Sequence, residues 1–268
     1  MASTMFGRGI PVGRVRAKPG VIYHDTEGGP SWQRVEDPVG TQRWRPIGLQ
    51  GFPHVFEHFL PDAGATLPAP WGKQDTSAAG APVTDYVADA DGGNYTLALA
   101  ADNEVETLTL YHVDQLLFDI TKRPVFGCRL KIAPDITGGG GLFAAGDKFV
   151  FGLASARNAT LDSIVTNAWF MATGANLNIY VESDDGTTDT DDTDTAVDYV
   201  ADTFIEVWID IEATAPTARF CINDSQVKKT SIAAATGNVQ PYLEIQKAAA
   251  ANKDHKVTVD WICTFSRS

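Results

Sequence analysis

The residues best placed to do chemistry share one predicted strand. Across 204–212, Phe204, Glu206, Trp208, Asp210 and Glu212 alternate with Ile205, Val207, Ile209 and Ile211. A period of two therefore sends the branched aliphatic residues to one side and three carboxylates with two aromatic rings to the other. Paired carboxylates on one sheet face could cleave a glycosidic bond, provided they stand roughly 5–9 Å apart. Glu206 and Glu212 fail that test, because six residues at ~3.4 Å each separate them by about 20 Å. Phe204 and Trp208 remain candidate stacking platforms for a glycan, with acids beside them to accept hydroxyl hydrogens. The competing reading is that a loop or a neighbouring subunit covers them.

A second cluster is the acidic run 184–194, which holds six carboxylates. Asp184, Asp185, Asp189 and Asp191 are candidate calcium ligands, since a hard cation takes several oxygens. The run lacks the terminal glutamate and the flanking helices of an EF-hand, so a solvated hairpin tip is the simpler reading. No other cofactor is indicated. His54 and His58 have the spacing of a helical metal pair but not the His-Glu-x-x-His pattern, and Pro53 and Pro61 leave little helix to hold them. The four glycines at 138–141 lack a phosphate-loop ending and read as a flexible loop. Arg157 and Asn158 read as ordinary turn residues.

The elements that must carry these residues are strands. Period-two alternation recurs at 94–99, 107–111, 126–132, 148–154, 168–172, 177–181, 218–222, 241–246 and 256–265, with turn signals between and no helical pattern. That pattern predicts an all-β sandwich. In the last strand Val257, Val259, Trp261, Cys263 and Phe265 are expected on one face. Cys128, Cys221 and Cys263 fall within strand runs and are expected as buried free thiols, which suits a reducing compartment. The N-terminus shows no secretory leader pattern.

Charge divides the 268 residues. Thirty-four acidic against 21 basic residues give −13, which disfavours a nonspecific grip on nucleic acid or an anionic membrane. Residues 1–50 nevertheless carry +3 and the rest −16. With eight glycines and five prolines, 1–50 is expected to be an extended N-terminal attachment arm containing a short hairpin, 21–24 with 32–35. Arg8, Arg14, Arg16, Tyr23, Trp32 and Trp44 are its candidate partner-binding residues, and 51–268 is the sandwich domain.

The body resembles the concanavalin A-like (LamG-like) jelly rolls of bacteriophage virion proteins. The residues that carry the likeness are Val55-Phe56-Glu57-His58-Phe59, Trp71 with the 75–80 stretch, Phe151-Gly152-Leu153-Ala154-Ser155-Ala156, Ser183-Asp184-Asp185-Gly186-Thr187, and Arg219-Phe220-Cys221-Ile222-Asn223-Asp224. The run Pro19-Gly20-Val21-Ile22-Tyr23-His24-Asp25-Thr26, with Trp32 and Trp44-Arg45-Pro46-Ile47-Gly48, is similar to the attachment segments of phage fibre and decoration proteins. The resemblance implies a non-enzymatic capsid decoration or head-fibre protein on the virion surface, homotrimeric and bound to capsid or other virion proteins. The alternative is a module that binds a host glycan or receptor. Glycosidases of this fold carry Glu-x-Asp-x-(x)-Glu on one strand. Here Trp208 occupies the nucleophile's place ahead of Asp210 and Glu212.

Overall fold

The computed structural model describes residues 4–36, 42–49, 53–59, 66–78, 80–87, 93–133, 143–174, 176–213, 216–248 and 254–267. The proposed boundary at 50/51 and the glycine run 138–141 lie outside them. Two large sheets face each other. The first orders β18 (Ser225–Ser231), β17 (Thr217–Ile222), β16 (Ile205–Glu212), β11 (Val125–Ala133), β20 (Lys256–Phe265), β8 (Tyr95–Ala98) and β7 (Val83–Tyr86), with β5 (His54–Glu57) also on β20. The second orders β15 (Asp189–Asp198), β14 (Asn178–Asp184), β13 (Asn167–Thr173), β12 (Lys148–Ala154), β19 (Asn238–Lys247), β9 (Glu106–Tyr111) and β6 (Gly72–Asp75), with β10 (Phe118–Asp119) also on β19. The alternation explains the core. Phe126, Cys128, Leu130, Ile205, Val207, Ile209 and Phe220 from one sheet meet Phe149, Phe151, Leu153, Phe170, Leu243 and Ile245 from the other. The fold class expected from the sequence is the one observed.

The N-terminal segment departs from expectation. The expected hairpin is present as β2 (Ile22–Asp25) and β3 (Ser31–Glu36), but β1 (Thr4–Gly7) and β4 (Gln42–Ile47) extend it to a four-stranded sheet. This sheet is not an extended arm. It lies on the outer face of the first large sheet, where Ile10, Val12, Tyr23, Trp32 and Trp44 form one buried cluster with Val125, Trp208, Cys221, Trp261, Cys263 and Phe265. Apolar burial of three large rings outweighs the conformational freedom that the glycines and prolines would otherwise favour.

Two other expectations change. In β20, Val257 and Val259 enter the inter-sheet core whereas Trp261, Cys263 and Phe265 face the N-terminal sheet. Their common alternation is broken by a register shift: Arg129 pairs with Trp261 but Leu130 with Val259, so Asp260 is the extra residue of a bulge. In the acidic run, only the 185–188 turn is a tip; Asp189–Asp198 is the edge strand β15. All three cysteines are buried and free.

Candidate functional site

The carboxylate row of β16 is closed from above by the N-terminal sheet. Trp208 is completely buried; Trp32 meets it edge-on at 5.1 Å between centroids, and Trp261 lies 5.6 Å away. Its indole N–H donates to Glu206 at 2.8 Å, and Glu206 also receives Arg43 at 3.2 Å and Arg45 at 2.9 Å. Glu212 pairs with Arg14, Arg219 and Lys229. Asp210 receives Arg219 at 2.9 Å and Arg267 at 2.5 Å, and Arg267 continues to Asp25 of β2 at 3.1 Å. The two guanidiniums hold the Asp210 carboxyl down at about 2 despite complete burial. Arg219 further donates to the carbonyls of Val12 and Ile10, fastening the N-terminal run.

These contacts correct several sequence-based assignments. Trp208 cannot stack on a glycan, because Trp32 already covers it. Phe204 is clamped beneath Arg129, 4.2 Å from its ring centroid, and Lys131 at 5.4 Å. Tyr23, Trp32 and Trp44 are buried against their own chain rather than offered to a partner. Arg8 pairs with Glu27 and Arg14 with Glu212; Arg16 is exposed and unpaired among the described residues. The charge division seen in the sequence thus closes within the molecule. The acidic surface that the basic segment meets is strand β16.

The candidate calcium ligands do not assemble. Asp185 is buried and accepts from the backbone N–H groups of Thr187, Thr188 and Ala234, while Asp184 accepts from Gly186. Asp189 and Asp191 sit on the β15 edge, where burial and neighbouring acids push Asp189 upward. Among the described residues no three acidic, histidine or cysteine groups converge as a metal set.

The outer face of the second sheet presents the arrangement that sequence reading missed. The register sets Glu182, Trp169, Gly152, Tyr242, Tyr111 and Gly72 in one row across six strands. The next row runs Tyr180, Met171, Val150, Glu244, Thr109 and Gln74. Gly152 is required there: a Cβ would lie 2.3 Å from the Ala168 carbonyl and 2.6 Å from the Trp169 Cα. Trp169 and Tyr242 stack at 6.3 Å, and Tyr111 meets Tyr242 edge-on at 6.5 Å.

Two carboxylates flank these rings. Glu182 is pushed up to about 7, first by burial, with partial relief from the Trp169 indole N–H and Lys148. Glu244 is also raised by burial and accepts from Thr109 at 2.6 Å, Tyr242 at 2.5 Å and Gln246 at 2.5 Å. Arg157, expected to be an ordinary turn residue, reaches over the face to Thr76 at 2.7 Å and Thr109 at 3.4 Å. Leu161 and Ile164 from the same β12–β13 connection pack onto Trp169, Tyr111 and Tyr242. The signal was in the alternation, since Trp169 and Met171 oppose core-facing Phe170, and Tyr242 and Glu244 oppose Leu243.

Glu182 and Glu244 are not spaced as a glycosidase pair. Three strand spacings of ~4.8 Å across and two residues of ~3.4 Å along put the backbones of Glu182 and Glu244 about 16 Å apart. Glu244 is tied toward β9, away from Glu182, so the pair does not bracket one bond at the ~5–9.5 Å that hydrolysis requires.

The sequence matches no protein-family model and no curated protein. Solved structures do match. The carbohydrate recognition domain of Emp47p aligns with a TM-score of 0.56 at 10% identity, over 80% of this chain and 95% of that one. An endo-1,3-β-glucanase from Streptomyces sioyaensis gives 0.53 at 13%, over 83% and 99%. A prokaryotic β-1,3-1,4-glucanase from a mouse hindgut metagenome gives 0.52 at 10%, over 81% and 100%. At these identities the likeness establishes architecture alone. The chain is an all-β two-sheet sandwich of the concanavalin A-like lectin and glucanase fold.

Proposed function

We propose that this chain is a non-catalytic carbohydrate-recognition module. The observation that carries the reading is the outer face of the second sheet, where the half-buried ring of Tyr180 and half-buried Lys148 and Gln246 border the buried Trp169, Tyr242, Tyr111, Glu182 and Glu244. Sugar recognition uses this combination of ring faces and fixed hydrogen-bonding groups. The fold is one that carbohydrate recognition domains adopt. Leu161 and Ile164 close the Tyr242 end, which leaves half-buried Tyr180 and the rim around Lys148 and Gln246 as the approach for a ligand. Screening neutral oligosaccharides by intrinsic tryptophan fluorescence tests it. Binding weakened at least tenfold by Tyr180→Ala, without release of reducing ends, is expected; no saccharide bound at millimolar concentration defeats it.

A second reading is a structural protein on a bacteriophage particle, attached to capsid or another virion surface. One observation favours it: the β16 face is sealed and the opposite face is largely roofed, which leaves little aromatic surface open. Antibody labelling of purified particles tests this reading, and unlabelled particles that contain no such chain would exclude it.

A further inference from the structure

We infer that a cavity between the N-terminal run and the β17–β18 turn is a binding site for an acidic sugar, through its sulfate, phosphate or carboxylate group. The cavity holds about 470 Å³ and is lined by Arg14, Arg16 and Arg34 on one side and by Asn223, Ser225 and Gln226 on the other. It forms where residue 13 bridges to residue 225, and Gly13 permits the approach: at φ +69°, a Cβ there would sit 2.7 Å from the Gln226 backbone nitrogen. The site lies apart from the sheet face above, although its assignment to a sugar rests on the carbohydrate reading.

Three observations point to an anion. Arg34 is buried and held in place, with its guanidinium carbon 5.6 Å from the Trp44 ring centroid and one nitrogen on Asp224. Its Nε–H is nevertheless buried without a hydrogen-bond partner among the described residues, a costly state for a charged donor that an arriving oxyanion would relieve. Arg16 at the rim is exposed and has no partner among the described residues, so it is free to close on a ligand. Asp224 is the one acid in the lining and is already paired with Arg34, so the lining remains net positive. The volume exceeds what a bare ion fills and lies within the usual ~300–1,000 Å³ of small-molecule sites. The amide and hydroxyl side chains opposite the arginines supply the mixed donors and acceptors that sugar hydroxyls need.

Titration calorimetry of the full chain with glucuronate, glucose 6-phosphate, glucose 6-sulfate, glucose and inorganic sulfate tests the assignment. At least one acidic sugar should bind, and glucose should not. Arg16→Glu should weaken that binding about tenfold or more, as expected for replacing one charge-assisted contact by repulsion, while leaving the melting temperature unchanged. Tyr180→Ala should not affect it. Which acidic sugar binds best identifies the anionic group. Inorganic sulfate binding as tightly as any sugar would reduce the site to an ion site and overturn the sugar assignment. No binding, or binding indifferent to Arg16→Glu, would overturn the site. Loss in Tyr180→Ala instead would move the ligand to the sheet face, which defeats this inference but not the carbohydrate reading.

Discussion

His112 and Glu182 pull stability in opposite directions with pH. His112 is fully buried, its ring edge-on to Trp71 at 4.4 Å with neither nitrogen partnered among the described residues, and burial depresses it to about 4. Unfolded it titrates near ~6.5, so between about 6.5 and 4 the unfolded chain binds a proton the folded chain refuses. That contribution is present above the upper value and lost as pH falls. Glu182 is lifted to about 7. Against an unfolded value near ~4.3, its contribution is present below that value and lost as pH rises through 7. The windows overlap, so the two contributions oppose one another across that range. Glu182→Gln should uncover His112: the gain in unfolding free energy from pH 5 to pH 7.5 should exceed the wild type's by about 2 kcal/mol. Urea denaturation at the two pH values measures it, and equal gains in both proteins would show that Glu182 ionises normally in the fold. A second residue-scale test is Asp210→Asn, which leaves Arg219 and Arg267 buried without their shared carboxylate. A loss of about 3–5 kcal/mol is expected in the same assay.

At the scale of elements, the N-terminal sheet behaves as a third layer of the sandwich. Trp32 lies between Trp208 and Phe265, at 5.1 and 5.9 Å, so Trp32→Ala should cost about 3–5 kcal/mol even though it falls in a glycine- and proline-rich part of the chain. A change within ~0.5 kcal/mol, the range of ordinary surface substitutions, would mean the sheet does not cover Trp208 in solution. The body strands were legible because each has one core face and one outer face, as in β16 and β12. Four features were less so. The bulge at Asp260 leaves the spacing of large residues in β20 intact while rotating half of them to the opposite face. The Thr/Asp alternation of β15 has the pattern of a half-buried strand, but its charge density reads as a solvated loop; charge is what protects a sheet edge. The contrast between a +3 segment and a −16 body was visible, yet composition cannot say whether the complementary surface belongs to a partner or to β16. Trp169, Tyr242 and Glu244 escaped for a related reason, since a face becomes a site only once the order of strands is known.

At the scale of the molecule, the case for a trimer weakens with the burial of Trp32 and Trp44, since those rings no longer need a neighbouring copy. Among the described residues the large exposed apolar side chains are spread along the chain, with Phe6 on β1, Val83 on β7, and Leu117, Val165 and Val200 in three separate connections. Phe6 is partly served by stacking on His24 at 5.1 Å. One open sheet edge, β15, carries Asp189, Asp191, Asp192, Asp194 and Asp198, which repel the same edge of another copy. The net charge of −13 adds a general repulsion that salt screens over about 8 Å at physiological ionic strength. A monomer of 28.8 kDa is therefore expected in sedimentation velocity at micromolar concentration and about 0.15 M salt. Any association should appear only as salt is raised, because the apolar contacts that could drive it are small and the repulsion that opposes it is the part that salt removes. A stable trimer at low salt would contradict this charge argument and would revive the fibre-like assembly, with an interface built on the loops rather than on the N-terminal tryptophans.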